Sequence, residues 1–343
     1  MTQALTQMRR EILEIPSAVD RLLTQGHADM AAAAKALRDR NPAFIISVAR
    51  GSSDHVATYF KYASELLMGV PVASVGPSVA SVYKRKLHLA GSACVSVSQS
   101  GKSPDIVAMT RLARECGALS FAMTNNSASP LAMVSDYTLN LHAGPELSVA
   151  ATKTFVTSAV SAIWLLAEWS GDKALLAAIR TLPEALEKAV QQSWPEVAAT
   201  IGDRKSLFCL GRGPAYAISN EAALKFKETC QLHAESYSSA EVLHGPVSII
   251  DKGFPVIALT AADEAEDLLV QVADDIAAKG AAVFVTSGKV KVARSLPVVR
   301  TGHPLTDPIA LIASFYAMVE TVAVARGINP DAPRHLNKVT ETL

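Results

Sequence analysis

VSVSQSGKSPDIV, residues 95–107, decides the fold. Its first half is an alternating, Val-rich run, the pattern of a strand packed in a sheet. The run then meets Ser98, Gln99, Ser100 and Gly101 and passes into the period of a helix. In an open parallel sheet, ligands bind beyond the C-terminal ends of the strands, where the next helix presents free N–H groups and the positive end of its dipole. Hydroxyls at the end of a buried strand therefore suggest a binding loop. The same alternation recurs along the chain. AFIISVA, ACVSVS, SLFCLG, PVIALT and AAVFVTS read as strands, and IVAMTRLAREC and DLLVQVADDIAAKG as helices. The expected class is α/β, with parallel sheets flanked by helices.

The order also repeats on a larger scale. FIISVARGSSDHVATYFKYASEL is echoed by SLFCLGRGPAYAISNEAALKFKE, and the stretch from Val95 to Asn126 by that from Val256 to Gly288. Two copies of one unit follow, matching a chain of 343 residues at roughly 150 residues per domain. The expected organisation is an N-terminal helical segment at 1–40, a first α/β domain at 41–170, and a helical connector at 171–200 carrying Pro183 and Pro195. A second α/β domain at 201–325 and a C-terminal tail at 326–343 complete it.

Composition narrows the function. Lys plus Arg and Asp plus Glu balance at 32 each, so no overall field steers the chain to nucleic acid or to an anionic membrane. Cys94, Cys116, Cys209 and Cys230 are far apart and form no C-x-x-C pair, which indicates neither a disulfide framework nor a zinc knuckle and fits a reducing cytoplasm. The N-terminus lacks the apolar stretch of a signal peptide. The segment singled out as most apolar, Phe155 to Trp169, is shorter than the ~20 residues of a membrane span and reads as a buried helix.

The two copies differ where ligands would bind. The first places Ser52, Ser53, Ser98, Gln99, Ser100 and Ser103 in its two turns, beside Gly51 and Gly101. The second has Pro214 and Ala215 in one turn and Asp263, Glu264 and Glu266 in the other, whose charges repel an anion. Only the first is composed to hold a phosphate, each N–H or O–H contact to a charged acceptor contributing ~1.5–3 kcal/mol. Serines are also ordinary helix caps, the competing explanation for each taken alone. The loop is not a Walker loop, because no G-x-x-x-x-G-K-[ST] follows the strand.

Groups able to move protons gather between Asn220 and Pro246. Glu221, Lys225 and Glu228 are four and three residues apart and line one helix face from Tyr216 onward, as a solvated ion pair would also do. His233, Glu235, Glu241 and His244 follow, but their spacing matches neither H-E-x-x-H nor a facial triad, so no metal is assigned. His244, before Gly-Pro, has a packed turn histidine as its competing role. A carboxylate so placed can take up and return a proton, and a phosphate held far from it can serve as a handle for the substrate.

ARGSS, SQSGKS, AGPELSVAATKTF, GRGPAYAISNEAALKFKE, HAESYSSAEVLHGP and DAPRHLNKVTETL occur in this order nearly end to end. In these blocks the chain resembles the sugar isomerase (SIS) domain family, in particular the isomerase half of glucosamine-6-phosphate synthase and its stand-alone deaminase relatives. The resemblance implies two flavodoxin-like subdomains and a homodimer, with no cofactor. It implies that Ser53, Ser98, Gln99, Ser100 and Ser103 cradle the phosphate, joined here by the neighbouring Ser52. By the same resemblance Glu228 moves the proton between C1 and C2, while His244 opens the sugar ring from across the dimer interface. Lys338 closes over the open-chain sugar and forms a Schiff base with its ketone. Glu221 and Lys225 support, and the backbone around Val149 and Ala150 touches the sugar. The family often has an acidic residue where Lys102 stands and Ser where Ala151 stands, positions that bear on sugar identity.

The expected activity is conversion of glucosamine 6-phosphate to fructose 6-phosphate and ammonia. A deglycase or a galactosamine-6-phosphate enzyme is the near alternative, and a non-catalytic sugar-phosphate sensor the distant one. The synthase carries a glutaminase domain ahead of this half; here MTQALTQM leads straight into a helical segment, so no glutamine hydrolysis is expected. No basic helix-turn-helix precedes the first copy, and neither nucleic acid nor membrane is expected as a partner.

Overall fold

A computed structural model describes residues 5–338, leaving the extreme ends of the N-terminal segment and of the tail (1–4 and 339–343) outside the described residues. The chain divides into two compact units. The first comprises Ser17–Glu146, Lys153–Arg180 and Asn337–Leu343; the second comprises Met1–Pro16, Leu147–Thr152 and Thr181–Leu336.

In the first unit, β1 (Ile45–Val48), β2 (Val72–Ser74), β3 (Ala93–Val97), β4 (Leu119–Thr124) and β5 (Tyr137–Asn140) form a parallel sheet in the order 2-1-3-4-5. In the second, β6 (Ser206–Gly211), β7 (His233–Ser238), β8 (Pro255–Ala258), β9 (Ala282–Val285) and β10 (Arg294–Ser295) are wound alike, in the order 7-6-8-9-10. Both sheets are flavodoxin-like and flanked by helices, so the expected fold class is observed. In each, the chain turns to one side of its first strand and then crosses to the other, leaving the first and third strands adjacent at a switch point. Ile45–Val48 and Ala93–Val97 are buried at every position, which explains their nearly unbroken apolar sequences.

The copies share backbone detail. Gly51 precedes the helix Ser52–Met68 at φ 55° and ψ −134°, and Gly213 precedes the helix Pro214–Cys230 at φ 57° and ψ −137°. Only glycine enters this region without strain, so the Arg-Gly of both turns has a steric cause. The expected helix start at Tyr216 lies two residues late, because Pro214 fits the first turn, where a missing N–H leaves no helix bond unmade. Pro183 and Pro195 likewise sit in the first turns of Leu182–Ala189 and Pro195–Ile201.

Each unit has its own core: Ile46, Val48, Cys94, Ile106 and Met109 in the first, and Phe208, Leu210, Val256, Ile276 and Val285 in the second. Burying such a side chain stabilises by ~1.5–3 kcal/mol. The segment Phe155–Trp169 lies in the buried helix Lys153–Ser170, which packs on Ser52–Met68 and His27–Arg40. It is not the only such helix. Asp307–Ala325 is apolar and long enough to cross a membrane, yet 83% of that stretch is buried within the fold. It packs on Pro214–Cys230, with Phe226 and Phe315 edge to face at 5.2 Å. It, and not Phe155–Trp169, is the more apolar of the two helices; its single carboxylate beyond the first residue, Glu320, is paired with Arg9 at 2.5 Å.

Candidate active site

The first unit's turns meet at its switch point. Val48 is opposite Ser96, so the loops leaving β1 and β3 begin side by side. Ser52 and Ser53 open the helix Ser52–Met68, where the Gly51 carbonyl accepts from Asp54 N at 2.9 Å and His55 N at 3.4 Å. In the β3 loop, Ser98 Oγ accepts from Gly101 N at 3.2 Å and Ser100 Oγ from Lys102 N at 3.3 Å. Each hydroxyl thus spends an acceptor on the turn and keeps its O–H to donate. Ser103 caps Pro104–Glu115, but its side chain makes no capping bond. Side-chain capping therefore does not account for Ser103, while Ser98 and Ser100 also hold the turn. The Gln99 carbonyl accepts from Asn125 N at 3.0 Å, which fixes the loop against β4.

Gly101 has φ 63°, and a Cβ there would lie 2.2 Å from Ser129 Oγ, so this turn excludes every side chain. Arg50, beside Gly51, donates through Nε and Nη2 to Asp105 Oδ2, both at 3.0 Å, and ties the two turns together. Asp105 is fully buried, so Arg50 is committed to structure.

The second unit fills the equivalent place with its own charges. Arg300 Nη1 donates to the Thr260 carbonyl at 2.9 Å and Asp307 Oδ2 at 3.1 Å, while Nη2 reaches Glu266 Oε1 at 3.2 Å and the Thr286 carbonyl at 2.9 Å. Asp263 has its pKa raised by burial above all, with Glu264, Glu266 and Asp307 adding to it. A cation from the chain already occupies this end of the sheet, and the acids around it repel an anion.

On Pro214–Cys230, Lys225 and Glu221 are fully buried and Glu228 is 20% exposed. Lys225 Nζ lies 3.2 Å from Glu221 Oε1, and Tyr316 Oη donates to that oxygen at 2.9 Å. Burial pulls the Lys225 ammonium down, but the two carboxylates and their hydrogen bonds outweigh it and its pKa is raised. The row is therefore not a solvated face: two members are sealed and charged, and the third reaches the surface. Tyr316 and Glu11 were not among the sequence candidates, since neither lies near a recognisable spacing. Among the described residues no group of three or more His, Cys, Asp or Glu could hold a metal.

His244 is exposed, between the short turns Glu241–Leu243 and Pro246–Ile249. Val149 and Ala150 lie in a strap of the second unit. Buried Glu11 accepts from Leu147 N at 2.5 Å and Ser148 N at 3.3 Å, and Val149 N donates to the Asp331 carbonyl at 3.4 Å. The Val149 N–H is thus committed, leaving its carbonyl, and Ala150 is buried. Lys338, which the resemblance sets over the open-chain sugar, donates to Glu146 Oε2 at 2.9 Å within the first unit.

The comparisons with known proteins agree with this architecture. The family model "SIS domain" matches residues 29–168 and 200–325. A solved structure of a provisionally assigned phosphosugar isomerase from Silicibacter pomeroyi DSS-3 is 64% identical, covering 95% of this chain and 100% of that one, with a TM-score of 0.93. The C-terminal domain of glucosamine-fructose-6-phosphate aminotransferase from Francisella tularensis is 27% identical over 96% of this chain and 99% of that one, with a TM-score of 0.85. Glutamine–fructose-6-phosphate aminotransferase [isomerizing] of Sulfolobus acidocaldarius is 30% identical over 333 residues, 96% of this chain but 56% of that protein. The chain thus spans about half the length of the curated relatives it matches, and the half it spans is the doubled sheet. With each copy of the motif falling on one of the two like-wound sheets, the chain belongs to the SIS domain family.

Proposed function

We propose that the protein is a phosphosugar isomerase that acts on an amino-sugar 6-phosphate, converting glucosamine 6-phosphate to fructose 6-phosphate and ammonia. The observation that carries this reading is the row on Pro214–Cys230. A carboxylate at the surface, backed by a buried ammonium and a second carboxylate, suits repeated proton transfer and has no role in passive binding. A sensor needs only a cradle. The phosphosugar isomerase assignment of the 64% identical neighbour supports the reaction class.

In this mechanism the Ser52–Ser53 and Ser98–Ser103 turns hold the phosphate, and His244, exposed and free to serve a partner subunit of a homodimer, opens the ring. Glu228 removes the proton at C2 of the open-chain amino aldose and returns it at C1, leaving an imine at C2. Water adds to that imine and ammonia departs, either directly or after Lys338 has displaced the nitrogen to form its own Schiff base. The reaction needs no cofactor, and its compartment is proposed to be the cytoplasm.

The test is to incubate the 343-residue chain with glucosamine 6-phosphate, galactosamine 6-phosphate and an ε-fructosyl-lysine 6-phosphate, measuring ammonia, lysine and ketose phosphate. Ammonia and ketose from a hexosamine 6-phosphate in equal amounts support the reading. Lysine release alone would replace it with deglycation, and no turnover alongside tight binding would replace it with sensing.

A further inference from the structure

Glu146 ends the Ser17–Glu146 stretch of the first unit and meets Lys338, from far along the chain. Its side chain is fully buried, and Oε2 accepts from Lys338 Nζ at 2.9 Å, across 192 positions of sequence. The same oxygen accepts from Thr154 Oγ1 at 2.7 Å, and Oε1 accepts from Thr154 N at 3.1 Å. Thr154 is the second residue of Lys153–Ser170, so the carboxylate sits on the N-terminal end of an 18-residue helix, where free N–H groups and the dipole favour an anion. Burial of a carboxylate is tolerated only when it stays hydrogen-bonded. Here the helix end keeps it bonded whether or not the lysine is present. The pair is therefore asymmetric: Glu146 is fully buried and bonded to the helix end as well as to the lysine, whereas Lys338 is 25% exposed.

We propose that Glu146 is a positioning residue for Lys338, holding its ammonium in the resting chain and taking its proton when the amine is used. This rests on the proposed function for its second half only. Lys338 passes one proton to Glu146, and the neutral nitrogen forms a bond to the ketone carbon. A proton moves from nitrogen to the former carbonyl oxygen, and Glu146 returns its proton as that oxygen leaves as water. The product is the iminium, and no charge or redox equivalent is gained or lost.

Two readouts separate the halves. In the ligand-free protein, trypsin should cleave after Lys338 about fivefold faster in Glu146→Gln than in wild type, because losing a partly exposed ion pair raises the open population by roughly that factor. With fructose 6-phosphate and borohydride, peptide mass should show the sugar adduct on Lys338 forming about tenfold more slowly in Glu146→Gln, KM for the sugar phosphate staying near wild type. Glu146→Asp, which keeps the charge but withdraws it by one methylene, should fall between on both scales and serves should Glu146→Gln fold poorly. Wild-type cleavage and trapping in both variants would overturn the proposal. Faster cleavage with no adduct even in wild type would leave the latch standing and remove the Schiff base from the proposed function. Unchanged cleavage with slower trapping would remove the latch and keep the proton role.

Discussion

Lys225 Nζ stands 2.5 Å from Glu228 Oε2 and 3.2 Å from Glu221 Oε1, one ammonium serving two carboxylates on a single helix face. The two bonds have different consequences because only Glu228 reaches the surface. Lys225→Met strips the cation from fully buried Glu221 and should destabilise the fold by about 3–5 kcal/mol, as removal of one partner of a buried pair does. Glu228→Gln keeps shape and a hydrogen bond and should unfold within about 1 kcal/mol of wild type, while turnover falls by about 10²–10⁴. Urea unfolding and ammonia release check both. A Glu228→Gln enzyme with near-normal turnover would remove the base from the mechanism.

At Gly101 a Cβ would meet Ser129 Oγ at 2.2 Å and Ser129 Cβ at 2.6 Å, whereas at Gly51 nothing lies within 4 Å. Both have positive φ, so both resist alanine, but only Gly101 adds a collision. Gly51→Ala should cost about 1–2 kcal/mol from backbone strain, and Gly101→Ala at least about 1–3 kcal/mol more as the β3 loop is pushed off Ser129. Gly101→Ala should also weaken sugar-phosphate binding. Equal urea midpoints for the two would contradict the packing argument.

Removing the Ser98 and Ser100 hydroxyls together should raise KM for the sugar phosphate far more than it lowers kcat. The handle is held in ground and transition states alike, so its loss is a loss of uniform binding. A double Ser→Ala enzyme with wild-type KM would show that these hydroxyls serve only the turn, where they accept from Gly101 and Lys102.

The doubled α/β fold was legible because its signals are local. The Val-rich strands, the Arg-Gly turns at Gly51 and Gly213 and the helix period all act within a few residues. The asymmetry of the two turns was legible for the same reason, since Asp263, Glu264 and Glu266 stand where the first copy has hydroxyls. What was not legible depends on distant pairing. Glu146 looked like one residue of a family block, and its meeting with Lys338 is set by the whole chain between them. Arg300 carries no motif, yet it fills the second unit's sheet end. The burial of Glu221 and Lys225 was invisible too, because their spacing is that of an ordinary surface ion pair, and the Asp307–Ala325 helix, whose Tyr316 donates to Glu221, comes from far along the chain.

Asp274 supplies a test by pH. Its carboxylate accepts from Lys291 N and Val292 N at 2.9 Å and Ala293 N at 2.8 Å. Burial alone would raise its pKa, but the three amides prevail and hold it below the ordinary 3.8. A folded-state pKa below the unfolded one means that the unfolded chain binds more protons between the two. The stabilisation is therefore complete above about pH 4 and is lost as pH falls through the folded value. Asp274→Asn should be less stable than wild type at pH 6 by up to about 1 kcal/mol, solvent screening the largely exposed charge, and the gap should close on acidification below pH 4. A gap in urea midpoint that is constant from pH 6 to pH 3 would place the effect in packing instead.

The proposed homodimer makes a prediction that joins exposure to chemistry. His244 is exposed in the chain, while Glu228 is anchored by Lys225 within its own helix. If His244 serves the partner's sugar and Glu228 its own, His244→Ala and Glu228→Gln homodimers should both be nearly inactive. In a mixed dimer, one site has both substituted groups and the other has neither. Equal mixing makes half the dimers mixed and restores one site in each, so about a quarter of wild-type activity should return when subunits exchange freely. His244→Ala should recover in part with a substrate already in open-chain form, since ring opening precedes proton transfer. Ammonia release from each homodimer and from a co-refolded mixture, with exchange verified by mass, reads the outcome. Verified mixed dimers without activity would mean that His244 and Glu228 act within one chain, or that His244 is only a turn residue.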